Sequence, residues 1–276
     1  MKTASRIYTA LILLFLYAPI IVLIVFSFNS TSSTGVFESF SFRWYREVFN
    51  SDEMLGALKN TLVVASLSAV ISCLIGTCAA VGIFNYRKKW LKTTVLTVTN
   101  VPMMNPDIVT GISMMLLFVW SGTLLGIRST LGFGTLLIAH ITFNLPYVIL
   151  SVLPKLRQLD PHLSEAAQDL GCTPLSAFMR VVIPSIFPGV MSGMMMAFTL
   201  SLDDFIISNF TTETYQTLPL YIYSMTKKRV TPDINALSTL IFVSVLALLL
   251  LINLSQNRYD KKIRKAKEKF MSTSGK

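Results

Sequence analysis

Three acidic residues interrupt apolar stretches of this chain, and the chemistry open to them is the binding of a cation. They are Asp107, which follows Pro106, and the adjacent pair Asp203 and Asp204. An ionised side chain is costly inside a membrane, so an acid kept there is a candidate for function. Pro106 removes a backbone donor and can bend a helix beside Asp107, which would expose a cation site. The alternative is that these acids are simple charges at a helix end or a helix interface.

The two adjacent acids cannot both serve one path, because neighbouring residues on a helix point about 100° apart. We therefore expect one of Asp203 and Asp204 to line the path, and the other to cap a helix or pair with a neighbour. His140, in another apolar stretch, is expected to be a buried neutral side chain bonded to a neighbouring helix. A substrate-binding or pH-sensing role is the alternative for this histidine.

The composition is that of a membrane protein. Hydrophobic residues make up 53% of the 276 residues and charged residues only 14%, whereas a soluble domain carries about a quarter charged residues. The net charge is +10, but the basic residues lie in short runs between apolar stretches, as membrane topology places them. This distribution argues against a nucleic-acid partner. The three cysteines show no metal-ligand spacing and no disulfide framework.

Six apolar stretches have the length of about 20 residues that a membrane-spanning helix requires. In chain order they cover residues 7–28, 61–84, 94–120, 130–153, 185–210 and 234–254. The third is expected to be one helix, with Asp107 about 20 Å from its start and past the middle of the bilayer. The fifth places Asp203 and Asp204 about 27 Å from its start, near the outer mouth. The sequence therefore predicts an all-α membrane protein with a single domain over residues 1–276.

The distribution of Lys and Arg also predicts the topology. Most basic residues lie in the cytoplasm if both chain ends are there, so we expect that orientation. Residues 257–276 form a basic tail suited to anionic lipid. The outer segment 29–60 is rich in aromatic residues, which suits a helix lying at the lipid headgroups. Docking of a partner on the outer side is the other interpretation of this segment.

A polar segment, residues 154–184, joins the fourth and fifth apolar stretches on the expected cytoplasmic side. Asp160-Pro161 is typical of a helix start, and Leu170-Gly171 of a helix end at which glycine accepts the left-handed conformation. Thr173-Pro174 predicts a second start, and Ile183-Pro184 a second end. The segment should therefore form two short helices joined at Gly171.

The first short helix of this segment carries a narrow apolar face suited to a partner. Leu163, Ala166, Ala167 and Leu170 lie on that face, and Glu165 and Asp169 lie at its rim. Small alanine side chains allow close approach to a groove on another protein. An ordinary connector with good helix caps is the alternative interpretation.

The order Glu165-Ala166-Ala167, Gly171 and Ile183-Pro184 resembles the signature loop of ABC-importer permeases. In that family the loop fits a socket on a separate ATP-hydrolysing subunit. Further motifs are similar to those of the spermidine/putrescine branch of the family, at residues 105–112, 140–146, 202–205 and 218–225. The resemblance covers about residues 6–255. It departs at Asp107, where the family typically has Glu.

The resemblance implies both a fold and a set of partners. The implied fold is the type I (MetI-like) importer permease with six transmembrane helices, in the bacterial cytoplasmic membrane. The implied partners are a homologous second permease, a dimer of ATP-binding subunits, an extracytoplasmic solute-binding protein and membrane lipid. The chain has no Gly-x-x-x-x-Gly-Lys-Ser/Thr sequence, so we expect a transport subunit rather than an enzyme. It should need no cofactor of its own, with ATP and Mg bound by the partner.

The implied cargo is a polyamine, whose ammonium groups suit carboxylates and whose charge and methylenes suit aromatic faces. Trp120, Tyr221 and Tyr223 could supply those faces, and membrane-interface aromatics are the alternative interpretation. The same machine could carry iron(III), thiamine or a phosphonate-like solute, although acidic path residues favour a cation. An ion-driven secondary transporter is a different class, and many such folds have internal repeats that this sequence lacks. A sensor or structural membrane protein would leave the stiff cytoplasmic loop without a purpose.

Overall fold

The computed structural model describes residues 2–31, 35–86, 88–127, 131–160, 162–228, 232–247, 250 and 254. Regular structure in these residues is helical, and Asn29 and Phe40 form an isolated antiparallel bridge. The all-α prediction is confirmed for this part of the chain. The predicted basic tail, residues 257–276, and Pro161 lie outside the described residues.

The helices of the described residues are numbered here in chain order. They are α1 (Lys2–Phe26), α2 (Arg43–Asn50), α3 (Asp52–Asn85), α4 (Lys89–Met104), α5 (Asp107–Leu124), α6 (Phe133–Arg157), α7 (Leu163–Asp169), α8 (Pro174–Ala177), α9 (Ile183–Asp203), α10 (Ile206–Thr211), α11 (Leu218–Lys228) and α12 (Pro232–Ala247).

Five helices are long and apolar enough to cross a membrane, among the residues that the structure describes. They are α1, α3, α5, α6 and the continuous helix Pro174–Asp203, which contains α8 and α9. The shorter apolar helix α12 coincides with the described part of the sixth predicted stretch. The chain is thus a multi-pass membrane protein.

The third predicted stretch is two helices rather than one bent helix, so that prediction is wrong. The chain breaks at Asn105 and Pro106, between α4 and α5. Asn105 is extended, with φ −76° and ψ 141°, because the ring of a following proline disfavours the helical conformation. Asp107 is therefore the first residue of α5 and not a residue deep within a span. There its charge complements the positive end of the helix dipole.

The fifth predicted stretch also ends earlier than expected. Residues 185–210 were expected as one helix, but α9 stops at Asp203, and Asp204 is extended with φ −65° and ψ 116°. The Asp204 carboxylate accepts hydrogen bonds from the backbone amides of Ile207 and Ser208, at 3.2 Å and 2.7 Å. These are the unpaired amides of a new helix start, which is why α10 begins here.

The predicted helix end at Ile183-Pro184 is wrong as well. A π-helical turn, Phe178–Val182, connects α8 to α9, and the amide of Ile183 donates to the carbonyl of Phe178. Pro184, which has no amide proton, then stands at the start of α9, where that proton is not needed. The helix therefore continues across the proline.

The chain divides into two compact units, and the first comprises Met1–Leu55 and Ile222–Lys276. No residue in the apolar span of α1 is buried, as suits contact with lipid or with another helix. After α1 the chain folds back, and the indole of Trp44 donates to the carbonyl of Asn29 at 2.6 Å. The ring of Phe28 stacks on Phe40 with centroids 5.0 Å apart. Aromatic residues of segment 29–60 therefore pack on one another, and their place at the headgroups stays a prediction.

The second unit, residues Gly56–Tyr221, is organised around the contact of α6 with α9. Four buried small residues at intervals of four form one face of α9: Gly189, Gly193, Ala197 and Ser201. A Cβ at Gly189 would lie 2.9 Å from the carbonyl oxygen of Ser151, and one at Gly193 would lie 3.2 Å from Cα of Val148. The two backbones therefore touch, as small residues allow in membrane helices.

We expect Gly189→Ala to lower the free energy of unfolding by about 1–3 kcal/mol, because the methyl group meets backbone that cannot swing aside. Gly82→Ala on α3 is the matched control. Apart from its chain neighbours and the nearby backbone of its own helix, no heavy atom of the described residues lies within 4 Å of a Cβ built there. Gly82→Ala should raise the free energy of unfolding by up to about 1 kcal/mol, because alanine favours the helix more than glycine does. Thermal unfolding in detergent measures both, and equal shifts would contradict the close contact.

Candidate functional site

The predicted path residues lie on or next to three different helices, α5, α9 and α11. Asp107 and Trp120 are both exposed, but they lie near opposite ends of α5, about 20 Å apart along its axis. Tyr221 is buried. Tyr223 belongs to the other unit, and Nζ of Lys227 lies over its ring at 4.5 Å from the centroid. Asp107 and Trp120 therefore do not contact one another, and a path shared by all six residues stays a prediction.

The two adjacent acids have different surroundings. Asp203 is the last residue of α9 and is exposed. The side chain of Asp204 is only 9% exposed and caps α10 through the amides of Ile207 and Ser208. Asp204 is therefore the acid that caps and pairs, and Asp203 is the exposed member of the two.

His140 of α6 completes the surroundings of Asp204. Its side chain is 1% exposed, and its Nε2 lies 3.0 Å from the hydroxyl of Ser208 and 3.5 Å from Oδ2 of Asp204. The Ser208 hydroxyl donates to the same Oδ2 at 2.9 Å. Since a hydroxyl has one proton, Ser208 must accept from the His140 ring. The expected bond from His140 to a neighbouring helix is confirmed.

A second polar chain lies one turn further along α6 and was missed from the sequence. Asn144 Nδ2 donates to the Ser201 hydroxyl of α9 at 2.8 Å, and that hydroxyl lies 2.9 Å from the Ser68 hydroxyl of α3. Ser68 donates to the carbonyl of Ala65 at 3.2 Å, so it accepts from Ser201. The spacing of four between His140 and Asn144 was the available signal, since it places both on one helix face.

The polar segment between α6 and α9 keeps most of its predicted caps. Gly171 has φ +89°, the left-handed conformation expected at the end of α7. The Thr173 hydroxyl accepts from the amide of Ser176 at 3.3 Å, and Pro174 is the first residue of α8. The start predicted at Asp160-Pro161 is wrong, because α7 begins at Leu163. Asp160 bonds instead to the amide of His162 at 2.9 Å.

The same segment presents apolar side chains to the outside. Leu170, Leu175 and Met179 are 88%, 72% and 59% exposed. Of the predicted apolar face, Leu163 and Ala166 are also exposed, and Ala167 is half-buried. Large apolar side chains exposed together within a polar segment are typical of a surface that another protein covers.

Glu165 lies beside this surface and is paired within its own helix. Its Oε2 lies 3.0 Å from Nδ1 of His162, and both side chains are largely exposed. The hydrogen bond and charge of Glu165, with the charge of Asp160, raise the pKa of His162 above its ordinary value. The pair therefore holds Glu165 near the start of α7 most firmly when His162 is protonated.

Beneath α7 lies a cavity of about 210 Å³, between the ends of α3 and α6 and the π-helical turn. Leu163 and Ser164 of α7 line it, facing Phe84, Leu156 and Phe178. The first turn of α7 therefore rests on unfilled space rather than on close-packed side chains.

Comparison with known proteins places the chain among transport proteins. Residues 72–265 match the family described as binding-protein-dependent transport system inner membrane component. The chain is 41% identical over 237 residues to the spermidine/putrescine transport system permease protein PotC of Escherichia coli (strain K12), covering 86% of this chain and 87% of that protein. It is 38% identical over 232 residues to the putrescine transport system permease protein PotI of the same organism, covering 84% and 83%.

Among solved structures, the fold is similar to a bacterial ABC transporter involved in the import of the acidic polysaccharide alginate. The TM-score is 0.70 with 20% identity, covering 93% of this chain and 95% of that one. At that identity the likeness concerns the fold alone. It confirms the expected fold of an ABC importer permease.

The His162–Glu165 pair predicts a pH dependence that can be measured directly. A raised folded pKa means that the pair contributes to stability below the unfolded pKa of about 6.5, and that this contribution is lost as pH rises through the folded value. We expect Glu165→Gln to return the pKa of His162 towards its ordinary value. Nuclear magnetic resonance of labelled histidine in the full chain suits this test, since the sequence has only two histidines.

His162→Gln assigns the signal in that experiment, and Asp169→Asn, at the other end of α7, is the matched control. An unchanged His162 titration in Glu165→Gln would show that the two side chains do not pair.

Proposed function

This chain belongs to the family of binding-protein-dependent transport system inner membrane components, and from that premise we propose that it is the transmembrane subunit of an ATP-driven polyamine importer. The observation that carries the proposal is the similarity, over more than four fifths of the chain, to two permeases named for spermidine and putrescine transport. Both cargoes are flexible polycations, which agrees with the exposed acids Asp107 and Asp203 at helix ends.

The proposed role of segment 154–184 is to receive force from the ATP-binding partner. Glu165, Ala166 and Ala167 lie on α7, Gly171 ends that helix, and Ile183 and Pro184 begin α9. The exposed side chains of Leu170, Leu175 and Met179 offer apolar area to a groove on the partner. The cavity beneath α7 gives this helix room to move towards the C-terminal end of α6 when the ATP-binding partner pushes on the loop.

A continuous helix offers a mechanical link from the loop to the candidate path. Helix Pro174–Asp203 has 30 residues, which corresponds to a rod of about 45 Å. Its first turns belong to the proposed docking surface, and its last residue is Asp203. Movement of the loop would therefore displace the exposed acid at the other end. In this proposal the partner's ATP binding and hydrolysis drive the loop, and this chain hydrolyses nothing itself.

The proposed path is lined by exposed acids and aromatic faces rather than by one closed pocket. Asp203 and Asp107 each stand at a break in a helix, and their carboxylates are exposed. Of the predicted aromatic contacts for charge and methylenes, Trp120 and Tyr223 are exposed, and Tyr221 is buried. Asp204 contributes indirectly, because its carboxylate caps α10.

The remaining partners follow from the same proposal. A homologous second permease would form the other half of the path, and an extracytoplasmic solute-binding protein would deliver the polyamine. Two ATP-binding subunits would lie beneath, with ATP and Mg bound there. Both chain ends and segment 154–184 would then lie in the cytoplasm of a bacterial cell, as the distribution of basic residues favours.

Uptake of radiolabelled spermidine tests the proposal. Cells lacking this protein should regain uptake with the wild-type chain, and Glu165→Ala at equal expression should reduce uptake by about tenfold through loss of a charged contact. Glu213→Ala, an exposed acid outside the loop, is the matched control and should retain uptake. If the wild type restores no spermidine uptake but still binds the ATP-binding subunit, the importer stands and the cargo is wrong. Uptake that survives removal of ATP while a proton gradient is held would favour an ion-driven transporter.

Leu170→Asp tests the docking surface separately from the cargo. A charge placed in an apolar interface opposes desolvation, so the ATP-binding subunit should no longer co-purify with this variant. Leu125→Asp is the matched control. Leu125 lies directly after α5, outside the loop, and is 73% exposed, so this variant should still co-purify with the ATP-binding subunit. Equal loss in both variants would mean that the effect is not specific to the loop.

A further inference from the structure

The site described so far leaves His140 without a role. This side chain is almost wholly buried, whereas Asp203 is exposed. Its Nε2 contacts Ser208, and Ser208 contacts Asp204. Asp204 and Phe205 are the two residues before the start of α10. The three side chains form a chain of contacts between α6 and the break that follows Asp203.

We call His140, Ser208 and Asp204 the relay, and its hydrogen bonds all point from His140 towards Asp204. Ser208 gives its hydroxyl proton to Oδ2 of Asp204, and that oxygen also accepts from the Ser208 amide at 2.7 Å. The ring of His140 donates to the hydroxyl oxygen at 3.0 Å and thereby holds the hydroxyl in the rotation that serves Asp204. Without the ring, the buried hydroxyl oxygen of Ser208 loses this donor.

Helix α10 needs such support because it has only six residues, too few to be stable by itself. A second bond ties its far end to α6, from the Thr135 hydroxyl to the carbonyl of Thr211 at 2.8 Å. On another side, Phe210 lies so near Gly111 of α5 that a Cβ there would come within 2.9 Å of its ring. Helix α10 is thus held at its C-terminal end by packing and a hydroxyl, and at its start by the relay.

We propose that His140 is a positioning residue, which holds Asp204 through Ser208 and so sets the break after α9 that leaves the neighbouring carboxylate of Asp203 exposed. The carboxylate of Asp204 is occupied by hydrogen bonds to the start of α10 and by its contact with His140. Asp203, one residue earlier, is the last residue of α9 and is exposed. His140 acts on the cargo only through this geometry, and the transport part of the inference rests on the proposed function.

The first test is a double-mutant cycle on the Tm of the full-length protein in detergent. His140→Ala and Asp204→Asn should each lower Tm by roughly 5 °C, as loss of a buried hydrogen-bond partner does. The double variant should fall no further than the worse single variant, because both changes break one relay. His140→Gln should recover most of the loss, since its amide can donate to Ser208.

Asn144→Ala is the matched control for that cycle. It removes a buried polar side chain from the same helix, but its partner is Ser201 rather than Ser208. Its effect should add to that of Asp204→Asn. Additive Tm shifts for His140→Ala and Asp204→Asn would overturn the proposal.

The second test separates positioning from cargo contact by spermidine transport in the assembled importer. Asp203→Asn should leave Tm unchanged and raise KM about tenfold, as loss of one charged contact does. His140→Ala should lower the maximal rate together with Tm, and His140→Gln should restore both. A raised KM at unchanged Tm in His140→Ala would mean direct contact with cargo and overturn the positioning role. Failure of wild-type spermidine transport refutes the proposed cargo alone, because the Tm cycle needs no substrate.

Discussion

The backbone contact of α9 with α6 is the constraint on which the second unit depends. Small residues at intervals of four let the two helices touch, and the side chains that follow on α9 are placed by that contact. Ser201, the last member of the small-residue face, is thereby brought against Asn144 of α6. The break at Asp203 and Asp204 then falls opposite His140, one turn before Asn144 on α6. A larger residue on the small-residue face of α9 would shift α9 along α6 and separate Ser201 from Asn144 and Asp204 from His140.

The parts of the fold that could be predicted from the sequence are those set by residues within one helical turn of each other. The end of α7 at Gly171 and the start of α8 at Thr173 depend on residues within one turn, so they were predictable. Two prolines show where local reasoning fails. At Pro106 the helix breaks after an extended Asn105, whereas at Pro184 a π-helical turn precedes the proline and the helix continues. The residue type is the same, and the hydrogen-bond pattern of the preceding turn differs.

The polar contacts of the candidate site could be predicted only in part. The sequence indicated that one of the adjacent acids would cap or pair, and cap geometry assigns this role to Asp204. It also indicated that His140 would bond to a neighbouring helix. The partners themselves could not be predicted, because Ser208 lies 68 residues after His140 and Ser201 lies 57 residues after Asn144. No local pattern specifies a contact over that distance.

These separations have a consequence for how the protein is made. When α6 enters the bilayer during synthesis, the residues that will bond to His140 and Asn144 have not yet been translated. Two polar side chains on one face of a new helix must then remain near water, near the insertion machinery or near α3, which already carries Ser68. Arrival of α9 and α10 gives each side chain a hydrogen-bond partner, Ser201 for Asn144 and Ser208 for His140. The nascent chain therefore gains its buried polar bonds late, and any delay between the fourth and fifth spans extends the time that α6 spends incompletely bonded in the membrane.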